Sequence, residues 1–92
     1  MRDPSPVTVR LVYLARLREA FASAGESIQW PRADPPTVEA LLDVLRARGG
    51  AFGTELGSGR AVRVAINHAV ARQHDVVRDG DEVALFPPVT GG

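Results

Sequence analysis

The sequence predicts an α+β domain in which a mixed sheet of four to five strands carries its two main helices on one face. Three observations predict it. Val7 to Tyr13 alternates apolar with other residues at period two, and Ala61 to Asn67 does the same later in the chain. Between them, Leu14 to Ala24 and Val38 to Leu45 repeat their apolar residues at helical spacing. Glu82 to Phe86 then forms a terminal strand stopped by Pro87 and Pro88, because proline has no N–H for a ladder and holds φ fixed.

Met1 to Pro6 is polar and punctuated by proline, so residues 1–6 are expected to be a flexible leader and residues 7–86 the folded domain. In the first strand Val7, Val9, Leu11 and Tyr13 share one face, with Thr8, Arg10 and Val12 on the other. Leu14, Leu17, Phe21 and Ala24 then make a helical stripe with Arg16, Arg18 and Glu19 off it, and Gly25 is the expected C-terminal cap. Glu26 to Trp30 is a short second strand with Ile28 and Trp30 on one face, ended by Pro31.

Thr37 is a favourable N-cap for a helix whose buried stripe is Val38, Leu41, Leu42 and Leu45. Glu39 in its first turn and Arg46 and Arg48 in its last complement the helix dipole, and Gly49-Gly50 closes it. Gly49 to Gly59 holds five glycines and is expected to be a flexible connection pinned by Phe52 or Leu56. It lacks the Gly-Lys-Ser/Thr ending and the following helix of a phosphate-binding loop. Ala61 to Asn67 should be a central strand, Asn67-His68 a tight turn, and Val70 and Ala71 the start of a short return strand. Asp75 to Asp81 is a turn-rich link with Val76 or Val77 facing inward, and Asp79-Gly80 is a hairpin signal leading into the last strand.

Composition removes several classes of function. Eleven basic and eleven acidic residues cancel, so the electrostatic footprint of nucleic-acid or anionic-membrane binding is missing and the expected partners are proteins. All eleven basic residues are arginine, so no lysine amine is available to attack an activated C-terminus. Cysteine is absent, which excludes a disulfide framework, a thiolate metal site and a thiol nucleophile. With no secretory apolar segment and no apolar run near membrane-spanning length, the expected location is cytoplasmic. His68 and His74 lie six apart without a recognisable ligand spacing, so no metal site is expected. Ser58, Thr54 and Thr90 have no histidine and carboxylate pattern around them.

The tail is the most informative stretch. Beyond Phe86, residues 87–92 carry too little apolar surface to fold back and are expected to project as an extended arm of at most about 20 Å. Gly91 and Gly92 lack Cβ and can thread a channel too narrow for any other residue, delivering the α-carboxylate first. A diglycine also suits any frayed end, which leaves an incidental tail as the alternative. If Val83 and Leu85 face the core, Phe86 faces the other way, where a large aromatic next to two prolines suits an interface anchor; a twist that buries it is the alternative. The acidic turn of Asp79, Asp81 and Glu82 beside the tail is a candidate contact for an arginine of a partner.

Asp79-Gly80-Asp81-Glu82-Val83 followed by Phe86-Pro87-Pro88-Val89-Thr90-Gly91-Gly92 resembles the C-terminal signature of the small, sulfur-carrying subunits of molybdopterin synthase, a ubiquitin-like β-grasp family. Tyr13 to Glu19 and Thr37 to Leu41 are similar to that family more weakly, and together the resemblance covers Val7 to Gly92. It implies a β-grasp fold and a chain that is not catalytic alone. Gly92 would be adenylated by an ATP-dependent activating enzyme and converted to a thiocarboxylate with sulfur from a donor protein. Pro87, Pro88, Val89, Thr90 and Gly91 would thread into the large synthase subunit, where sulfur passes to cyclic pyranopterin monophosphate. The resemblance further implies that Phe86, with Leu14 and Val70, meets the large subunit in a heterotetramer built on a large-subunit dimer. It implies no stably bound cofactor, since ATP is used by the activating enzyme. A carrier serving thiamine (thiazole) or cysteine synthesis, and a noncatalytic ubiquitin-like interaction module, are the competing readings.

Overall fold

The computed structural model describes residues 5–57 and 59–88. Of the leader expected over residues 1–6, Met1 to Pro4 therefore lie outside the described residues, as do Ser58 and the tail positions Val89, Thr90, Gly91 and Gly92, for which threading and sulfur loading are expected. Within them, the alternation of the first strand is realised as β1 (Val7–Tyr13), whose Val7, Val9, Leu11 and Tyr13 are buried. It pairs antiparallel with β2 (Gly25–Trp30), with Val9 opposite Ile28 and Val7 opposite Trp30.

The helix between them is shorter than its stripe suggests. It spans α1 (Arg16–Ala20), because Ala22 takes a positive φ of 51° and the chain has already reversed when the Tyr13 N–H donates to the Ala24 carbonyl at 2.9 Å. Gly25 is accordingly not a helix cap. It opens β2, where a Cβ would stand 2.2 Å from the Leu11 carbonyl oxygen, so closeness of two backbones selects glycine there.

Thr37 caps α2 (Val38–Arg46) as expected, its Oγ1 accepting from the Ala40 N–H at 3.2 Å. Val38, Leu41 and Leu45 are buried and Leu42 is partly so. The glycine-rich run expected to be a loose connection is instead largely helical, as α3 (Gly50–Glu55). Glycine in a helix costs about 1 kcal/mol per residue relative to alanine. That cost is offset by packing: Phe52 stacks on Phe21 with centroids 4.1 Å apart, and Leu56 just beyond the helix is buried.

β3 (Arg63–Ile66) turns through Asn67 and His68, both at positive φ, into the two-residue β4 (Ala69–Val70). β5 (Glu82–Phe86) completes the sheet in the order β2-β1-β5-β3-β4, parallel to β1 and antiparallel to β3. The middle strand is thus β5, with β3 next to it. Asp79-Gly80 is a turn but not a hairpin turn, because β5 enters between β1 and β3 and pairs with neither flank of its own link. The turn is tied to β1 instead, with the Thr8 N–H donating to Asp79 Oδ1 and the Gly80 N–H to the Thr8 carbonyl, each at 2.8 Å. Val77 of the link is buried and Val76 exposed.

One core results. The inward faces of β1, β3 and β5 gather with Leu17, Phe21, Val38, Leu41, Leu45 and Leu56, which places the helices on one side of the sheet and, among the described residues, leaves the other side open. Among the described residues no helix is long and apolar enough to cross a membrane.

Candidate functional site

The site grows from the open face of the sheet and the point where the chain leaves it. Val83 and Leu85 are each 1% exposed, so alternation turns Glu82, Ala84 and Phe86 to the open face. Phe86 stands opposite Arg63 in register and is half-buried. The Leu14 N–H donates to the Leu85 carbonyl at 3.1 Å, extending the β1–β5 ladder one residue past the Tyr13 and Leu85 pair. Continuing that register sets Leu14 alongside Phe86.

Val70, opposite Ala65 on the outermost strand, belongs to the same face. Leu14 is 42% and Val70 73% exposed, so both present apolar surface to solvent. Between them the register runs Val70, Ala65, Ala84 and Val12 across four adjacent strands. Sequence reasoning missed Ala84 and Val12, both partly exposed on this face, and Ala65, which is buried between its neighbours. One signal was available: Val12 is the apolar residue on the otherwise polar face of the first strand.

Pro87 and Pro88 follow directly, both partly buried, so the arm starts from a strand hydrogen-bonded on both sides. The remaining threading positions and Gly92 lie outside the described residues.

The acidic turn is engaged within the chain. Asp81 accepts from Asn67 Nδ2 at 2.9 Å and from the Arg78 N–H at 2.8 Å, and Asp79 lies 3.5 Å from Arg32. Glu82 lies 3.6 Å from His68 Nε2. These carboxylates already have contacts within the chain. Among the described residues no group of three or more histidine, aspartate or glutamate side chains could hold a metal ion.

Under Leu14 the end of β1 is braced from the core side. The phenol of the buried Tyr13 donates to Glu26 Oε2 at 2.6 Å, and Glu26 receives both Arg48 nitrogens at 2.8 Å. Burial, reinforced by the Glu26 hydrogen bond, pushes the Tyr13 phenol far above its ordinary value. The Arg48 hydrogen bonds hold the Glu26 carboxyl below the usual carboxylate range, and Glu26 in turn raises Arg48. Arg48 also lies over the Phe52 ring, 4.9 Å from its centroid. This cluster joins β1, β2 and α3 on the core side of the sheet.

The described residues thus set exposed apolar side chains near the strand end that leads into Pro87 and Pro88. The sequence profile of the ThiS family matches residues 11–92. The chain is 34% identical to the molybdopterin synthase sulfur carrier subunit of Escherichia coli K12, over 91% of this chain and 99% of that protein. It is 41% identical to the Haemophilus influenzae protein of the same name, again over 91% and 99%. A solved structure from Pyrococcus furiosus, assigned as subunit 1 of the molybdopterin converting factor, superposes with a TM-score of 0.73 at 27% identity, covering 90% of this chain and 99% of that one. The fold is the ubiquitin-like β-grasp. With its profile matched from Leu11 to Gly92 and sulfur carrier subunits of molybdopterin synthase as curated relatives, the chain belongs to the ThiS family.

Proposed function

We propose that this chain is the sulfur carrier of a molybdopterin synthase, with the carboxyl group of Gly92 as its working group. The observation that carries the reading is the relationship, at 34% and 41% identity over 91% of the chain, to curated sulfur carrier subunits of that synthase. Supporting it is the course of β5, which ends at Phe86 in the middle of the sheet beside an exposed apolar patch and hands over to Pro87 and Pro88.

A C-terminal carboxyl ionises near pH 3.3–3.7, roughly, so at neutral pH Gly92 is an anion and a poor electrophile. An ATP-dependent activating enzyme joins it to AMP with loss of pyrophosphate. Sulfur supplied by a donor protein at the sulfide level attacks the acyl carbon as hydrosulfide, AMP departs with the bonding pair, the proton passes to solvent, and a thiocarboxylate remains. Loaded in this way, the tail enters a pocket of the large subunit, and its sulfur is delivered to cyclic pyranopterin monophosphate. Two deliveries build the dithiolene. ATP belongs to the activating enzyme, and the assembly is a cytoplasmic heterotetramer on a large-subunit dimer.

Immobilising six free residues would cost on the order of 6–12 kcal/mol at about 1–2 kcal/mol each. Pro87 and Pro88 reduce that cost by restricting the arm before it binds. The patch of Phe86, Leu14 and Val70 offsets the rest by docking on the large subunit. Mass spectrometry of the chain produced together with its activating enzyme and sulfur donor tests the reading. Replacement of one terminal oxygen by sulfur is expected; an unmodified terminus under conditions that load an Escherichia coli relative would favour an interaction module instead.

A further inference from the structure

Arg60, Arg63 and Arg72 line a groove of about 390 Å³ beside α2 at the β4 edge of the sheet. No hydrogen bond or ion pair engages any of these three guanidinium groups among the described residues. Arg16, Arg32 and Arg48, by contrast, are each paired with a carboxylate. Arg46 adds a fourth positive charge to the lining, although it is held by Asp43 and the Leu56 carbonyl. No aspartate or glutamate is present among the described lining residues, and the floor is apolar, with Leu42 and Val62 the side chains it offers. In a chain of zero formal net charge, this is local segregation of positive charge over an apolar trough.

The edge itself adds a second element. β4 pairs only with β3, and the Ala71 N–H donates to the Val64 carbonyl at 2.8 Å, so the alternation of an antiparallel ladder turns the N–H and C=O of Val70 outward. An extended segment can pair there as an added strand. A small anion fits less well, because Arg60, Arg63 and Arg72 are exposed and, among the described residues, no side-chain partner fixes the geometry of their heads. Several carboxylates along one segment could each meet their own arginine while intervening aliphatic side chains cover Leu42 and Val62.

We infer that this groove is a second protein-docking surface, taking an extended acidic and aliphatic segment of a partner along β4. It straddles the β4 edge, from α2 on the helix side to Arg63 and Val70, whose register places them with the open-face row, and it does not depend on the chemistry of Gly92. The test titrates the isotope-labelled full chain with the peptide acetyl-EDLEIDL-amide, followed by NMR, and with acetyl-KKLKIKL-amide as its charge-reversed counterpart. Saturable shifts at the amides of Val62, Val70 and Ala71 with the acidic peptide alone are expected. The double variant Arg60→Glu, Arg72→Glu should weaken binding by at least about tenfold, equivalent to about 1.4 kcal/mol. In the unaltered chain, salt near 1 M, where the screening length is about 3 Å, should weaken it by a similar factor. Absence of saturable shifts at millimolar peptide, an equal response to the basic peptide, salt-insensitive binding, or shifts confined to Val12 and Ala84 on the open face would each overturn the inference. Tighter binding of single-stranded polyuridylate than of the acidic peptide would overturn it as well.

Discussion

The phenol of Tyr13 donates to Glu26 at 2.6 Å while the same carboxylate oxygen accepts from Arg48 at 2.8 Å, so one glutamate ties the end of β1 to the C-terminal side of α2. Tyr13 also lies edge-on to Phe21, with ring centroids 4.9 Å apart. Hydrogen bonds to a charged group contribute roughly 1.5–3 kcal/mol. Tyr13→Phe keeps the ring and removes only the donor, and is expected to lower unfolding free energy by an amount near the bottom of that range, measured by urea denaturation.

The same pair sets a pH dependence at both ends. Glu26 has its carboxyl lowered, so its contribution is present above the ordinary carboxylate range and is lost as pH falls through the folded-state value. Tyr13 has its phenol raised, so its contribution is complete below the ordinary value of about 10 and declines as pH rises beyond it. Thermal unfolding across pH should show an alkaline loss of stability that Tyr13→Phe reduces. An unchanged alkaline limb in the variant would assign that loss to other groups.

Gly25→Ala should be among the more damaging single-methyl additions. The new Cβ would press on the Leu11 carbonyl, which is backbone held in the β1–β2 ladder and cannot swing aside. A loss of more than about 1 kcal/mol is expected in denaturant unfolding. Stability within experimental error of the parent would show that β2 shifts without cost.

Phe86→Ala separates binding from folding. Phe86 lies off the core face, so the variant should unfold within about 1 kcal/mol of the parent, while affinity for the large synthase subunit falls by about 2 kcal/mol or more by calorimetry. Undiminished affinity would remove Phe86 from the contact surface.

Deletion of Gly92, or extension beyond it, should abolish sulfur transfer and leave the fold unchanged by circular dichroism. Either variant retaining full transfer to the large subunit would locate the working group elsewhere.

Much of the fold was legible because local patterns encode it. The alternation of Val7 to Tyr13, the cap at Thr37 and the turn at Asn67-His68 depend on side-chain period and backbone preference within a few residues, and each is realised. The errors fall where distant contacts override local preference. The glycines of the 50–55 segment argue against helix, but Phe52 finds Phe21 and a helix forms. Gly25 looks like a cap until Leu11 is placed against it. Asp79-Gly80 signals a hairpin, yet nothing local can reveal that β5 inserts between β1 and β3.

The sequence by itself determined the strand faces, the capped helix and the order of residues at the tail, because those follow from periodicities of two and 3.6 and from the chemistry of proline and glycine. It also singled out Phe86 by alternation alone. Only the tertiary structure decided that Leu14 and Val70, 56 positions apart in the chain, lie on the side of the sheet that Phe86 faces, and that Arg60, Arg63 and Arg72 line one groove at the β4 edge. Strand order does this, and strand order is set by which apolar faces bury together rather than by any residue's immediate neighbours.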